Sequence, residues 1–194
     1  MSLPKEPRSW QKPGFLVSTD KTLLSIPSIN HAFSLDIIYW TQPVPDTILQ
    51  TIIDNSFCFG LYEIITTANG TDSTNEQPPQ QLQLPFQAKD LKQIGFARVV
   101  GDMTTFAYFT DLYVLPEYQG LGVGGWIIDC LAELLDEMPY LRWAMLRTSM
   151  EKSRDAYVKR LGMAVLKSGD IKEGPVMMGR KGEGWGAVEM KGRE

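Results

Sequence analysis

Asp111-Leu112-Tyr113-Val114-Leu115-Pro116-Glu117-Tyr118-Gln119-Gly120-Leu121-Gly122-Val123-Gly124-Gly125-Trp126 decides the reading of this chain. The stretch leaves an extended segment, residues 104–115 (TTFAYFTDLYVL), rich in β-branched and aromatic residues. It crosses a glycine-rich turn and enters the most regular helical pattern of the sequence, residues 122–138. In that helix Trp126, Ile127, Cys130, Leu131, Leu134 and Leu135 form one apolar stripe, with Asp129, Glu133, Asp136 and Glu137 off it. Four of the six residues 120–125 are glycine. Each weakens a helix start by up to ~1 kcal/mol relative to alanine, so they call for a reason. Glycine lets a ligand approach the backbone closely, and the first N–H groups of a helix have no partner within it. With the helix dipole behind them, these groups form a site for phosphate or pyrophosphate.

Working outward, residues 94–100 (IGFARVV) read as a strand joined to 104–115 by a tight turn at Gly101-Asp102. Residues 57–66 (FCFGLYEIIT) and 33–40 (FSLDIIYW) read as further strands, and 45–55 (PDTILQTIIDN) as a short helix with Pro45 at its start. Downstream, 143–147 (WAMLR) is a short strand and 151–161 (EKSRDAYVKRL) a helix closed by Gly162. Strands near 164–167 and 175–179 are expected before a Gly-rich tail, residues 180–194. Residues 1–14 contain three prolines and read as an irregular arm. Residues 67–90, rich in Gln, Thr, Asn and Pro, read as a surface excursion within one domain spanning 15–179. The order β-α-β-β-β-α-β-α-β predicts an α/β fold, a mixed and mostly antiparallel sheet flanked by helices.

Composition narrows the function classes. The chain has 194 residues, 43% hydrophobic and 22% charged, which suits one globular domain. Its 19 basic and 23 acidic residues give a net charge of −4, against a nucleic-acid partner held by bulk positive charge. That balance tilts slightly towards a cationic substrate. With Cys58, Cys130 and the single His31, neither a disulfide framework nor a Cys/His zinc site can be built, and no metal is expected. The cysteines lie in apolar segments and read as small core residues; His31 reads as solvent-exposed in a polar loop. No apolar run follows the basic residues of the N-terminus, and none approaches the ~18 residues of a membrane span. A cytoplasmic protein with no membrane partner is expected, with a homodimer left open.

Three phosphate loops compete for the glycine turn. The P-loop fails because no Gly-Lys-Ser/Thr follows. The dinucleotide fingerprint is met formally by Gly120, Gly122 and Gly125, but residues 138–150 contain no acid to hold a ribose. The third pattern, Gln/Arg-x-x-Gly-x-Gly/Ala, is met by Gln119, Gly122 and Gly124. Here the chain resembles the Gcn5-related N-acetyltransferase (GNAT) superfamily. The segment from Leu112 to Gly124 is similar to that family's acyl-CoA motif almost residue for residue. Asp155-Ala-Tyr157-Val-Lys-Arg-Leu-Gly162-Met163 is similar to its last helix, and Ser56 to Tyr62 and Ile94 to Arg98 to its second and third strands. The likeness covers roughly residues 33–179, and Tyr39-Trp40 through Tyr62 looks like a fungal branch.

The resemblance implies an N-acetyltransferase fold and acetyl-CoA as cosubstrate, with an amine on a small molecule or peptide as acceptor, attacking directly in a ternary complex. The backbone of Leu112, Tyr113 and Val114 would hold the pantetheine arm, and Gln119, Gly120, Gly122, Val123 and Gly124 would line the pyrophosphate. Tyr157 would be the acid for the departing thiol; packing is its competing role. Moving a proton from a phenol to a thiolate is uphill by ~1.5 pKa units, about 2 kcal/mol, within reach of a catalytic barrier. Two departures stand out. Thr148-Ser149-Met150 replaces a frequent Asn, so a hydroxyl such as that of Ser149 would take over its contact. Thr110 replaces a frequent Glu, so the motif names no general base; Asp111 is the nearest carboxylate, with a structural pairing as its alternative role. Tyr39 and Trp40 are expected at the acceptor, with Phe57, Phe59, Tyr108 and Tyr113 as further aromatic candidates. A non-catalytic acyl-CoA-binding module and a nucleotide-binding oxidoreductase are the competing functions.

Overall fold

The computed structural model describes residues 4, 6–65 and 86–166. The elements run β1 (Ser9–Lys12), β2 (Phe15–Ser18), α1 (Ile26–Phe33), α2 (Asp46–Asp54), β3 (Phe57–Ile64), β4 (Leu91–Gly101), β5 (Phe106–Val114), α3 (Val123–Asp136), β6 (Trp143–Leu146) and α4 (Glu151–Leu161). The six strands form one sheet in chain order, antiparallel throughout except for the parallel pair β5 and β6. The expected mixed, mostly antiparallel sheet flanked by helices is therefore the fold. No helix of the described residues is long and apolar enough to cross a membrane.

The sheet is covered on both faces. On one, the α3 stripe of Trp126, Ile127, Cys130, Leu131 and Leu134 packs on Phe59, Leu61, Ile94, Val99 and Phe109. On the other, Ile29, Phe33, Leu49 and Ile53 of α1 and α2 pack on Cys58, Phe96 and Tyr113. The two cysteines are buried among these side chains, as expected.

Four stretches differ from their reading in the sequence. Residues 33–40 are not a strand: α1 ends at Phe33 and the chain continues through turns. Ser25 caps α1 by accepting from the Ser28 N–H at 3.3 Å, and Pro27 lies in its first turn, a start signal that outweighs the β-branched residues beyond. Past the helix only Ile38 is buried, while Ile37 and Trp40 are exposed, so the run lacks the alternation a strand needs. His31 is exposed on α1, not in a loop.

The arm at residues 1–14 is not irregular over 9–12. Pro13-Gly14 joins β1 to β2 as a two-residue turn, with Gly14 at φ +78° in the left-handed region that favours glycine. The hairpin is tied to α3: Arg8 donates to both oxygens of Glu137 at 2.5 and 2.9 Å, and the Trp10 indole donates to Glu133 at 2.8 Å.

The surface excursion ends earlier than expected, because Phe86 is buried with Leu16, Tyr62 and Leu91, and residues 88–90 form a short 3-10 turn. Its earlier part lies outside the described residues. Residues 164–166 are not in a strand; the expected strand near 175–179 and the tail lie outside the described residues.

Candidate active site

The site is built where β5 and β6 part. Their pairing runs from Phe106↔Trp143 to Phe109↔Leu146 and stops. From Thr110 to Val114 the edge of β5 away from β4 has no strand partner among the described residues. An open strand edge presents backbone donors and acceptors to an extended, amide-bearing chain. A bulge helps to open it: between the pairs Phe96↔Tyr113 and Arg98↔Thr110, Ala97 alone opposes Asp111 and Leu112. Asp111 takes up the extra residue at φ +55°, a conformation Asp tolerates better than most side chains.

The open edge leads to the start of α3. Gly122, the residue before the helix, has φ +79°, and Gly120 has φ +86°, so both need glycine for their backbone. No side chain caps α3 and no acid stands in its first turn, so its leading N–H groups face outward without an anionic side chain. The remaining two glycines have separate explanations. A Cβ on Gly125 would meet the Arg160 guanidinium of α4 at 2.5 Å, the far end of a flexible side chain that can shift aside. Arg160 is held there by Asp129 at 2.5 and 2.6 Å. A Cβ on Gly124 would touch only Val114, at an ordinary 3.5 Å. Nothing in the described fold demands glycine at 124, which leaves its space for something outside the chain. The Gln119 side chain folds back and donates to the Val114 carbonyl at 3.0 Å, fixing the turn against the end of β5.

Beside the open edge lies a cleft of about 650 Å³, walled by β5, the segment after β6, the α4 face and residues 39–44. It gathers Tyr39, Trp40, Asp111, Leu112, Ser149 and Tyr157, six of the residues singled out in the sequence. Tyr157 is half-buried on α4, and burial pushes its phenol above the ordinary value. A neutral hydroxyl is therefore what it presents near pH 7. The Tyr39 hydroxyl meets the Ser149 hydroxyl, linking the segment after α1 to the segment after β6. Tyr39 and Trp40 stand edge to face, 5.2 Å between ring centres. Tyr108 also lines the cleft. Phe59 and Tyr113 do not: both are core residues, so Tyr113 can offer only its backbone. Phe57 packs against the same core.

Asp111 is buried and ion-paired with the Nε of Arg98, and its other oxygen accepts from Thr110 Oγ1 at 3.2 Å. Arg98 also donates through Nη1 to Ser56 at 3.2 Å. Arg98 and Arg147 both line the cleft. Neither arginine was singled out in the sequence. Arg98 carried the stronger signal, a lone charge within the apolar run IGFARVV.

Residues 86–162 match the family model described as "Acetyltransferase (GNAT) domain". A protein of Gibberella zeae, provisionally named an acetyltransferase, is 37% identical over 159 residues, 81% of this chain and 84% of its own length. The chain belongs to the GNAT acetyltransferase family. Among solved structures, a GNAT family protein from Xanthomonas campestris pv. campestris superposes with TM-score 0.60 at 28% identity, over 90% of this chain and 97% of its own. A Staphylococcus aureus protein does so with TM-score 0.54 at 19% identity, covering 86% and 99%, and shows likeness of fold. In this GNAT acetyltransferase the family match spans β4, the bulged β5, the glycine turn, α3, β6 and α4, the elements that build the open edge and much of the cleft.

Proposed function

We propose that this GNAT acetyltransferase moves the acetyl group of acetyl-CoA to a primary amine, by direct attack within a ternary complex. One observation carries the reading: the unpaired edge of β5 runs into the uncapped, glycine-built start of α3, and Tyr157 lines the cleft beside it. Acetyl-CoA supplies the activated acyl carbon. The backbone of Leu112, Tyr113 and Val114 binds its pantetheine amides as an added strand would. Gly120, Gly122, Val123 and Gly124 receive the pyrophosphate at the helix start, and Gln119 shapes that turn. Ser149 stands across the opening with Tyr39.

Tyr39 and Trp40 position the acceptor so that the amine nitrogen reaches the acyl carbon. As the new C–N bond forms and the C–S bond breaks, Tyr157 gives its proton or a strong hydrogen bond to the sulfur. The amine gives up one proton. Asp111 is the sole carboxylate among the described residues of the cleft, and it holds Arg98 while accepting that proton through solvent. The products are the amide and the free thiol of CoA.

Thiol release from acetyl-CoA over a panel of amines tests the reading. Turnover with any amine supports it. Saturable CoA binding with no turnover would favour the binding-module alternative, whose support is the commitment of Asp111 to Arg98.

A further inference from the structure

We infer that Tyr118 is a positioning residue for acetyl-CoA: its hydroxyl, held between Lys92 and Glu63, fastens the glycine turn to the sheet and so sets the start of α3 for the pyrophosphate. This rests on the acetyl-CoA reading above. Residues 119–122 are all exposed, Leu121 at 60%. A Cβ on Gly120 or Gly122 would meet nothing within 4 Å, so the body of the turn does not rest on the fold. Its shape is set by what holds its two ends. At one end Val123 and Trp126 are buried in the core under α3. At the other stands Tyr118, buried in the same apolar cluster.

Apolar burial has no direction and does not fix where a ring sits along a core surface. The Tyr118 hydroxyl supplies that direction. It donates to Glu63 Oε2 at 2.6 Å and accepts from Lys92 Nζ at 2.9 Å. Both bonds have an ionised partner, which makes them the stronger kind. Lys92 also lies over the Tyr118 ring, 5.1 Å from its centre. Glu63 and Lys92 are register partners on β3 and β4, so the tyrosine is tied to two paired strands. The next residue, Gln119, is tied to the end of β5 through the Val114 carbonyl. Two consecutive side chains thus hold the entry to the turn. Backbone N–H groups bind phosphate best when already aimed at it, because ordering an exposed turn on binding costs entropy. Glu63, Lys92 and Tyr118 do not line the cleft beside β5, so their effect falls on cosubstrate binding and not on acyl transfer.

The test uses the intact protein, calorimetry with acetyl-CoA, and thiol release with an amine that turns over. Tyr118→Phe keeps the ring and its packing, and leaves Glu63 and Lys92 free to pair with each other. Its Kd and KM for acetyl-CoA should rise about tenfold. Its kcat and acceptor KM should stay within about threefold of wild type, a split that general loosening of the fold would not give. Glu63→Leu leaves Tyr118 in place and should repeat the loss of acetyl-CoA affinity. Glu63→Gln keeps an acceptor for the phenol and should remain within about threefold of wild type. Full acetyl-CoA affinity in Tyr118→Phe or in Glu63→Leu overturns the inference and leaves the acetyl-CoA reading standing. A parallel loss in kcat and both KM values overturns it, and so does a Glu63→Gln protein as weak as Glu63→Leu. Absence of acetyl-CoA binding to wild type contradicts the acetyl-CoA reading itself and takes the inference with it.

Discussion

Arg98 and Asp111 face each other across the β4–β5 pair, joined by an ion pair at the position where Asp111 takes up the extra residue of the bulge. The bulge turns the aspartate to the arginine, and the arginine holds the bulge at the mouth of the β5–β6 opening. Asp111→Asn keeps the tolerance for positive φ and removes only the charge. It leaves a half-buried guanidinium without its counter-ion, so urea unfolding should show a loss of about 2–3 kcal/mol. Arg98→Met with Asp111→Asn should recover part of that loss, because no buried charge then stands alone.

Gly124 and Gly122 should separate under substitution by alanine. Gly122 has positive φ, so Gly122→Ala should cost about 1–2 kcal/mol of stability. Gly124 is helical and has room for a methyl group, so Gly124→Ala should leave stability unchanged or raise it by up to ~1 kcal/mol. Its affinity for acetyl-CoA should nevertheless fall, because the methyl takes space the fold itself does not use. Thermal melts and calorimetry on the same two variants check this. A Gly124→Ala protein with full affinity would return Gly124 to ordinary helix packing.

Tyr157→Phe keeps the ring and removes the hydroxyl. The expected result is a kcat about 100-fold lower with acetyl-CoA affinity nearly unchanged. The pH dependence has a definite sign. The acid must be protonated to act, and burial raises its pKa, so this group alone should not lower kcat until pH rises above about 10. A kcat within about threefold of wild type, with chemistry rate-limiting, would make Tyr157 a packing residue.

Much of the site was legible because its parts are local. The glycine turn, the stripe of α3 and the Gly162 end of α4 each lie within one short segment, and each takes the form its pattern predicts. The strand expected at 33–40 is absent because the Ser25 cap and Pro27 start a helix that runs to Phe33, against the β-branched content beyond it. The β1–β2 hairpin was hidden by reading its prolines as irregularity, although Pro13-Gly14 is itself a turn signal. Arg98 with Asp111 was out of reach for a different reason. Residues 13 apart on two strands meet through a register that includes an unforeseen bulge. The four glycines form one feature in the sequence, whereas the fold divides them into two positions of positive φ, one beside the movable Arg160 side chain and one with open space.

The most direct test of the site is isothermal titration of acetyl-CoA into wild-type protein and into Gly124→Asp. The carboxylate of the variant would stand where the pyrophosphate is placed, in size and in charge. Saturable binding to wild type is expected, with affinity at least about 100-fold weaker in a folded Gly124→Asp, about 2.7 kcal/mol. Unchanged affinity in the folded variant, or no binding to wild type, would contradict the placement of acetyl-CoA along β5 and at the start of α3.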